Sequence, residues 1–300
     1  MNNNLITRYL QRLNLDNATF SQIIHSDAIV AIVYKITQPT NINSILKICA
    51  RPEEYLRERY FLEKFKDILP VPKIIKTIEP EENLHGALLL EYLPGEPLKT
   101  ITITPELVYE LGLQLARIHS SRESGYGDLI QPDSLTPNPR AYFSQQFETG
   151  FAECSKHLPK KLLDQCREYY EKNIDLLISV DGPCIVHRDF RPGNIIAHNN
   201  KLLGIIDWAT SRASFAQEDF RSLEHNWDWH NNSNTKNNFL AGYTSVRPVP
   251  DYDTIMPLLR LTRSLDILGF TLKRNTWQST NAGIYQFERN FLDTFFSKLL

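Results

Sequence analysis

Glycine is scarce in this 300-residue chain, and the first part of the sequence contains none. There are only 12 glycines, and the first of them is Gly86. A Rossmann dinucleotide fingerprint, a Walker A loop and the glycine-rich loop of protein kinases all need closely spaced glycines where the backbone approaches a phosphate. None of these motifs can lie before Gly86, so a nucleotide bound by that part of the chain must be held in another way.

Three further absences narrow the class of protein. The 33 lysines and arginines are balanced by 35 aspartates and glutamates, for a net charge of −2, so no nucleic-acid partner is expected. No apolar run approaches the roughly 20 residues of a membrane span, and the start, MNNNLITRYLQRLN, lacks the apolar core of a signal peptide. The four cysteines form neither a C-x-x-C pair nor a metal-ligand spacing, which is typical of reduced thiols. We therefore expect a soluble cytoplasmic protein with no membrane partner.

The sequence does contain two regions of different pattern. In the first, β-rich runs at 20–25, 29–37, 44–50, 74–78 and 87–93 accompany a single helix predicted over 52–65, which begins with proline and has an acidic first turn. In the second, helical patterns cover 105–118, 162–178, 258–272 and 285–299, with loops predicted at 136–140 and 231–238. This pattern predicts an α+β fold, with a small β-rich domain over residues 1–93 and a larger, mainly helical domain over 94–300.

Two charged residues fall where burial is expected. Glu58 shares the apolar face of the predicted helix with Tyr55 and Leu62, and Lys47 lies inside the β-rich segment SILKICA. A buried charge is costly unless an opposite charge accompanies it. We therefore predict an ion pair between Lys47 and Glu58; a partly exposed glutamate at the edge of the helix face is the alternative.

Most of the chemical information lies in the segment CIVHRDFRPGNIIAHNNKLLGIIDWATS, residues 184–211. Two apolar runs, 195–197 and 202–206, flank an asparagine-containing turn, which predicts a β-hairpin. Antiparallel pairing brings Asn194 and Asp207 to the open end of this hairpin, and Asp189 precedes them on an irregular stretch. Amide and carboxylate oxygens suit Mg²⁺, which takes few protein ligands, and a further aspartate could accept a proton from a hydroxyl nucleophile.

The same residues resemble the motifs of the aminoglycoside phosphotransferase/choline kinase-like family. His187-x-Asp189-x-x-x-x-Asn194 followed by Ile206-Asp207-Trp208 is similar to its catalytic and metal-binding loops, and the order of Lys47, Glu58 and these loops is also similar. Further similarities are the LPVP segment at 69–72, the hinge-like LEYLPG at 90–95, LGLQLARIH at 111–119 and the EDF segment at 218–220. The resemblance implies a bilobal protein-kinase-like fold, with a small β-rich N-lobe containing one key helix and a larger, mainly helical C-lobe.

The resemblance also implies a role for each matching residue. Asp189 would be the catalytic base that orients the substrate hydroxyl, and Asn194 and Asp207 would bind Mg²⁺. Lys47, held by Glu58, would position the phosphates of ATP or GTP. The reaction would be phosphoryl transfer to a hydroxyl of a small molecule, in which positioning and charge neutralisation matter more than covalent catalysis.

Two more parts of the nucleotide site follow from the resemblance alone. Backbone groups around Glu91 and Leu93 would meet the nucleotide base. The phosphate loop would be His25-Ser26-Asp27-Ala28, in which a turn containing Ser26 replaces the glycines. This departure distinguishes the sequence from protein kinases, whose phosphate loop contains glycines.

The acceptor substrate is left open by the sequence. The family resemblance makes an aminoglycoside one candidate, with choline or another amino alcohol, a sugar and homoserine as alternatives. A local acidic cluster could form a cleft for a cationic substrate or a solvated helix face; its members are Glu218, Asp219, Glu224 and Asp228.

We expect His187 to support the catalytic loop, because Asp189 already fills the role of the base.

Two other classes of protein compete with a small-molecule kinase. A protein kinase is suggested by His187-Arg188-Asp189, but the chain has Asp-Trp where Asp-Phe-Gly is expected and no Ala-Pro-Glu segment after it. A catalytically inactive nucleotide-binding module would keep the fold without the chemistry, and the joint presence of the catalytic and metal-binding residues argues against it. The oligomeric state is not predicted.

Overall fold

The computed structural model describes residues 3–24, 31–227, 229 and 232–297. The strands are β1 (Thr19–Ile23), β2 (Ala31–Thr37), β3 (Asn43–Cys49), β4 (Ile74–Ile78), β5 (Ala87–Glu91), β6 (Glu96–Pro97), β7 (Cys184–Val186), β8 (Ile195–His198), β9 (Lys201–Ile205) and β10 (Arg212–Ser214). The helices are α1 (Asn3–Arg12), α2 (Pro52–Phe65), α3 (Pro105–Ser120), α4 (Pro139–Cys154), α5 (Lys160–Asn173), α6 (Gln217–Asn226), α7 (Ser233–Thr244), α8 (Met256–Lys273) and α9 (Ala282–Ser297). The predicted α+β class is therefore confirmed.

The amino-terminal sheet is antiparallel and has the strand order β1-β2-β3-β5-β4, with β3 at its centre. Because successive side chains of a strand point to opposite faces, β3 contacts α1 with one face and α2 with the other. Leu46 and Ile48 pack into one apolar cluster with Ile6 and Tyr9 of α1, whereas Lys47 points to the opposite face and contacts α2. The alternation of β3 thus places one charged side chain against a helix while its apolar neighbours fill the core.

Helix α2 begins and ends at the predicted residues. Pro52 occupies the first turn, where its missing N–H costs nothing, and Glu53 and Glu54 follow it. The inner face is fully buried, and its Phe61 and Phe65 rings lie 6.0 and 5.0 Å from the Trp208 ring. Helix α2 is therefore fixed against the segment that follows β9.

Residues of the chain pack as two compact units, each built from several segments. One comprises residues 1–118, 187–212 and 225–248, and the other residues 119–186, 213–224 and 249–300. In the second unit, α4, α5, α8 and α9 enclose an apolar cluster in which Phe147 stacks on Tyr170 at 3.6 Å between ring centroids. The linear division between residues 93 and 94 stays a prediction.

Within the first unit, helices α3 and α7 cross at two glycines. A Cβ at Gly112 of α3 would lie 1.9 Å from the Phe239 carbonyl oxygen of α7, and a Cβ at Gly242 would lie 1.9 Å from the Tyr109 carbonyl oxygen of α3. Both distances are far below van der Waals contact, so the two backbones can approach this closely only at glycine.

Several sequence predictions of the second region are wrong. The loop predicted at 136–140 ends early, because Asn138 caps α4 and Pro139 opens it. The loop predicted at 231–238 is largely the first half of α7, which Asn232 caps by accepting from the Thr235 N–H at 3.1 Å. The helix predicted over 162–178 divides into α5 and a 3₁₀ helix, Ile174–Ser179.

No helix among the described residues is both long and apolar enough to cross a membrane.

Candidate active site

Lys47 and Glu58 form the predicted ion pair. Lys47 Nζ lies 2.8 Å from Glu58 Oε2, and both residues are buried, at 7% and 1% exposure. The strand β3 and helix α2 supply one residue each, with Lys47 held in register between Val33 of β2 and Leu88 of β5. The alternative of a partly exposed glutamate is therefore wrong.

Asp207 is a second anion at the same lysine. Lys47 Nζ donates to Asp207 Oδ1 at 2.8 Å, and the Asp207 side chain keeps 41% of its surface exposed. Burial lowers the pKa of Lys47, but Asp207 and Glu58 together raise it above the usual value. Lys47 in turn lowers the pKa of Asp207, whereas burial raises the pKa of Glu58. The site therefore contains a fixed ammonium ion beside an accessible, ionised carboxylate.

The hairpin that carries Asn194 and Asp207 is the predicted one. His198 pairs with Lys201 across a two-residue turn, where Asn199 and Asn200 have φ of 48° and 59°, the conformation that asparagine tolerates best among residues with a Cβ. At the open end, the Ile206 N–H donates to the Asn194 carbonyl at 2.9 Å. The two residues flanking the hairpin are thereby brought together.

Asp189 is held by two side chains of its own loop. Asn194 Nδ2 donates to Asp189 Oδ2 at 2.6 Å and to its carbonyl at 3.0 Å, and Arg191 Nε lies 3.1 and 3.0 Å from the two carboxylate oxygens. Since the Asn194 amide nitrogen is turned toward Asp189, its Oδ1 is the atom suited to a cation. Arg191 is a residue of the site that sequence reasoning missed.

His187 lies beneath this loop and is fully buried. Its Nδ1 accepts from the Asp189 N–H at 3.3 Å, its carbonyl accepts from Ser211 Oγ at 3.2 Å, and its ring lies 4.5 Å from the Trp208 ring. These contacts are those of a residue that supports the loop, in agreement with the structural interpretation of His187.

Two residues of the site have φ values that residues with a Cβ rarely adopt. Arg188 and Asp207 have φ of 67° and 69°. Such a conformation costs on the order of 1–3 kcal/mol and persists only where the surroundings enforce it. Arg188 directly precedes Asp189, and Asp207 is itself a residue of the site. Strain of this kind concentrates at functional sites.

Other predicted site residues are less closely tied to this group. Ser26 and the rest of the predicted phosphate loop lie outside the described residues. Glu91 ends β5, where its N–H donates to the Lys73 carbonyl at 2.9 Å. The Leu93 carbonyl accepts from the Gly95 N–H at 2.9 Å, and the Leu93 side chain lies against Gly204. Base binding by Glu91 and Leu93 stays a prediction.

The acidic cluster is not formed by the residues whose side chains are described. Glu218 and Asp219 are 1% and 0% exposed, and Asp219 Oδ2 lies 3.0 Å from His119 Nε2, which is also buried. These two carboxyls line neither an acidic cleft nor a solvated helix face. The side chain of Glu224 and all of Asp228 lie outside the described residues.

Two side chains of the site, Asp207 and Asn194, have oxygens that could bind Mg²⁺. Among the described residues, no group of three or more histidine, cysteine, aspartate or glutamate side chains could hold a metal ion. Asp207 offers an ionised carboxylate, and Asn194 offers an amide oxygen. One carboxylate with one further oxygen fits an ion that keeps its remaining positions for water and phosphate.

Comparison with known proteins identifies relatives along most of the chain. The family model described as "Phosphotransferase enzyme family" matches residues 22–258. A homoserine kinase of Gluconobacter oxydans (strain 621H) is 27% identical over 172 residues, which cover 55% of this chain and 52% of the relative. A hydroxylysine kinase of Xenopus laevis is 26% identical over 191 residues, covering 54% and 47%. The chain thus spans about half the length of the curated relatives it matches.

Solved structures share the fold at low sequence identity. A thermostable aminoglycoside phosphotransferase mutant in complex with ADP and hygromycin B has a TM-score of 0.70 and 14% identity, covering 97% of each chain. A spectinomycin phosphotransferase in complex with ADP and spectinomycin has a TM-score of 0.64 and 16% identity, covering 96% and 93%. A microcompartment-associated aminopropanol kinase has a TM-score of 0.60 and 17% identity, covering 97% and 98%. These similarities confirm the fold that the family resemblance implies.

Proposed function

The chain belongs to the phosphotransferase enzyme family, and from that membership we propose that it transfers the γ-phosphoryl group of ATP or GTP to a hydroxyl group of a small molecule. The observation that carries the proposal is the Lys47 ammonium ion, buried between Glu58 and Asp207 at 2.8 Å from each. Glu58 and Asp207 hold this cation in a fixed position, where it could bind the phosphates of a nucleotide while it remains paired with Asp207. Solved structures of the same fold with bound ADP support nucleotide use.

The residues of the site divide the chemistry among themselves. The oxygen of the substrate hydroxyl attacks the γ-phosphorus, and Asp189 accepts the proton of that hydroxyl. The bond between the γ-phosphorus and the oxygen that bridges it to the β-phosphate breaks, which releases ADP or GDP. Lys47, fixed by Glu58, orients the nucleotide phosphates and offsets their charge. Asn194 and Asp207 would hold Mg²⁺. When bound, this ion neutralises charge on the transferring phosphoryl group.

For the acceptor we propose an alcohol that also carries an amino group. Homoserine, hydroxylysine, aminopropanol, hygromycin B and spectinomycin all have this chemistry, and they occur in the names of similar proteins. The curated relatives favour a hydroxy amino acid as the first candidate. An aminoglycoside is the second candidate, supported by the solved structures but no longer by the acidic cluster, of which Glu218 and Asp219 are buried.

The cellular setting is part of the same proposal. Cys49, Cys154, Cys166 and Cys184 are all free and buried, which suits a reducing compartment. We therefore keep a cytoplasmic enzyme as the proposal.

The test is a coupled assay of nucleotide turnover with ATP or GTP and Mg²⁺. The acceptors are homoserine, hydroxylysine, aminopropanol, choline, hygromycin B, spectinomycin, sugars and a generic protein, and the Asp189→Asn variant is the control. We expect one amino-bearing alcohol to stimulate turnover by the natural sequence but not by the variant. If only the protein is phosphorylated, a protein kinase is the correct class. If nucleotide binds but no acceptor raises turnover above the control, the chain is an inactive binding module and the proposal is refuted.

A further inference from the structure

We propose that Arg191 is a positioning residue for Asp189, which it holds in the orientation needed to receive the hydroxyl proton. The inference rests on the proposed phosphotransferase function. The contact that carries it is the Arg191 Nε–H, which faces both Asp189 carboxylate oxygens at 3.1 and 3.0 Å. An aspartate side chain turns about two bonds, and one donor centred between its oxygens restricts both rotations.

The local backbone is suited to this contact. Arg191 has an extended conformation, with φ of −135° and ψ of 159°, as expected for a residue that precedes proline. The Arg191 carbonyl accepts from the Asn194 N–H at 2.8 Å and closes the turn Arg191-Pro192-Gly193-Asn194. The guanidinium is thereby turned back along the loop toward Asp189, two residues earlier.

Gly193 provides the room for the guanidinium. A Cβ at this position would lie 2.8 Å from Arg191 Nη1, so with a larger residue the end of the guanidinium would have to shift. The triplet Arg191-Pro192-Gly193 therefore supplies the donor, the bend and the space in three consecutive residues.

The two carboxylate oxygens of Asp189 have different surroundings. Oδ2 accepts from both Asn194 Nδ2, at 2.6 Å, and Arg191 Nε, whereas Oδ1 is contacted by Arg191. A carboxylate oxygen has two lone pairs, so Oδ1 is the better placed of the two to accept a further proton donor. Without Arg191, Asn194 alone among the described side chains would fix the carboxylate, by its contact with Oδ2, and Oδ1 would be free to turn away from the substrate hydroxyl.

The charge of Arg191 also favours this role. The ionised Asp189 and a phosphoryl group would repel each other, and a cation at the carboxylate weakens that repulsion. Arginine stays ionised throughout the working pH range, so its effect on Asp189 is constant.

A double-mutant cycle tests the inference, with turnover measured on the acceptor found by the screen. We expect Arg191→Gln to lower kcat by about 100-fold, the cost of misplacing a reacting group by about 1 Å, without weakening the binding of a non-hydrolysable ATP analogue with Mg²⁺. Arg191→Lys should recover part of the loss, because lysine keeps the charge but not the planar donor. Arg12→Gln is the matched control, since Arg12 makes a similar arginine–carboxylate contact with Glu81 on the surface.

The decisive comparison is made in an Asp189→Asn background. If Arg191 acts through Asp189, Arg191→Gln should cost little further activity there, because the group that it positions is already lost. A full further loss in that background would show that Arg191 acts directly on the phosphoryl group and would overturn the inference. Unchanged kcat in the single Arg191→Gln variant would also overturn it. So would a variant in which the loss of kcat is accompanied by weaker nucleotide binding and a lower unfolding temperature, because Arg191 would then be a structural residue. A natural sequence that phosphorylates no acceptor refutes the proposed function itself, and the inference falls with it.

Discussion

Replacing Lys47 with methionine should destabilise the protein by an amount that grows with pH. Methionine keeps the length of the side chain but removes the cation that contacts Glu58 and Asp207. Glu58 is then an acid in a buried position, with 2% of its side chain exposed. Asp207 remains 41% exposed and can be solvated. The stability lost should therefore come mainly from Glu58.

The magnitude follows from the protonation of Glu58. Burial already raises its pKa in the natural protein, and Lys47 is the largest influence that lowers it, so the variant should have a still higher folded pKa. A carboxyl whose folded pKa lies above its unfolded pKa of about 4.3 favours folding below that value and loses this contribution as pH rises, by about 1.4 kcal/mol per unit up to the folded pKa. Loss of one partner of a buried ion pair costs about 3–5 kcal/mol. We therefore expect a loss of about 3 kcal/mol at pH 7, and about 1 kcal/mol or less at pH 5.

Asp207 adds a smaller effect of the same sign. Lys47 lowers its pKa, and a lowered acid pKa contributes stability above the unfolded pKa of about 3.9 that is lost on acidification. The variant lacks this contribution, so its deficit is again greater at higher pH. Because Asp207 is more than one-third exposed, solvent screening keeps this part small.

Chemical denaturation at pH 5, 6, 7 and 8 measures the difference between variant and natural protein. The double variant Lys47→Met, Glu58→Gln is the control, because it removes the buried acid and should abolish most of the pH dependence. A single variant that loses the same stability at pH 5 and pH 8 would show that Glu58 is not the group left without compensation. The ion-pair reasoning would then be wrong.

Three further predictions concern catalysis and packing. Asp189→Asn should lower kcat by about 10²–10⁴-fold with nucleotide affinity unchanged, measured by coupled turnover and titration; equal kcat would remove Asp189 from the role of base. Chelation with EDTA should abolish turnover and excess Mg²⁺ should restore it, whereas turnover in EDTA would contradict the magnesium proposal for Asn194 and Asp207. Gly112→Ala should lower stability by about 1–3 kcal/mol or more, because its Cβ would lie 1.9 Å from the Phe239 carbonyl oxygen. Gly283→Ala is the control, since a Cβ at that position has nothing within 4 Å. Thermal unfolding compares the two variants, and equal midpoints would contradict the tight helix crossing.

The parts of the site that the sequence predicts are those in which a local pattern carries a large energetic cost. Lys47 and Glu58 each lie on an apolar face, and the cost of burying an isolated charge requires that they meet. The hairpin is equally local, because Asn199 and Asn200 supply the positive φ that its turn needs. Neither inference depends on knowing how distant elements pack.

The features that the sequence does not predict depend on tertiary packing. His119 and Asp219 are 100 residues apart, and only their burial against each other removes Asp219 from the surface acidic cluster. Helix α7 begins with the polar run Ser-Asn-Thr-Lys-Asn-Asn, and its helical face becomes visible only through Phe239, Gly242 and Tyr243, which are buried. For α4, the signals of Asn138 and Pro139 are present, but a second proline nearby makes the segment resemble a loop.

Arg191 is intermediate between the features that a local pattern predicts and those that depend on tertiary packing. Its sequence neighbours Pro192 and Gly193 indicate only an irregular stretch, since a pattern does not reveal where a long polar side chain points. A Cβ at Gly193 would crowd the end of the Arg191 side chain, whereas the strained positions Arg188 and Asp207 are occupied by residues with a Cβ. Hydrogen bonds lie next to both positions: Lys47 donates to Asp207, and Ser211 donates to the carbonyl of His187, the residue before Arg188. In this site glycine therefore makes room for a cation, whereas the unusual backbone conformations belong to residues with a Cβ.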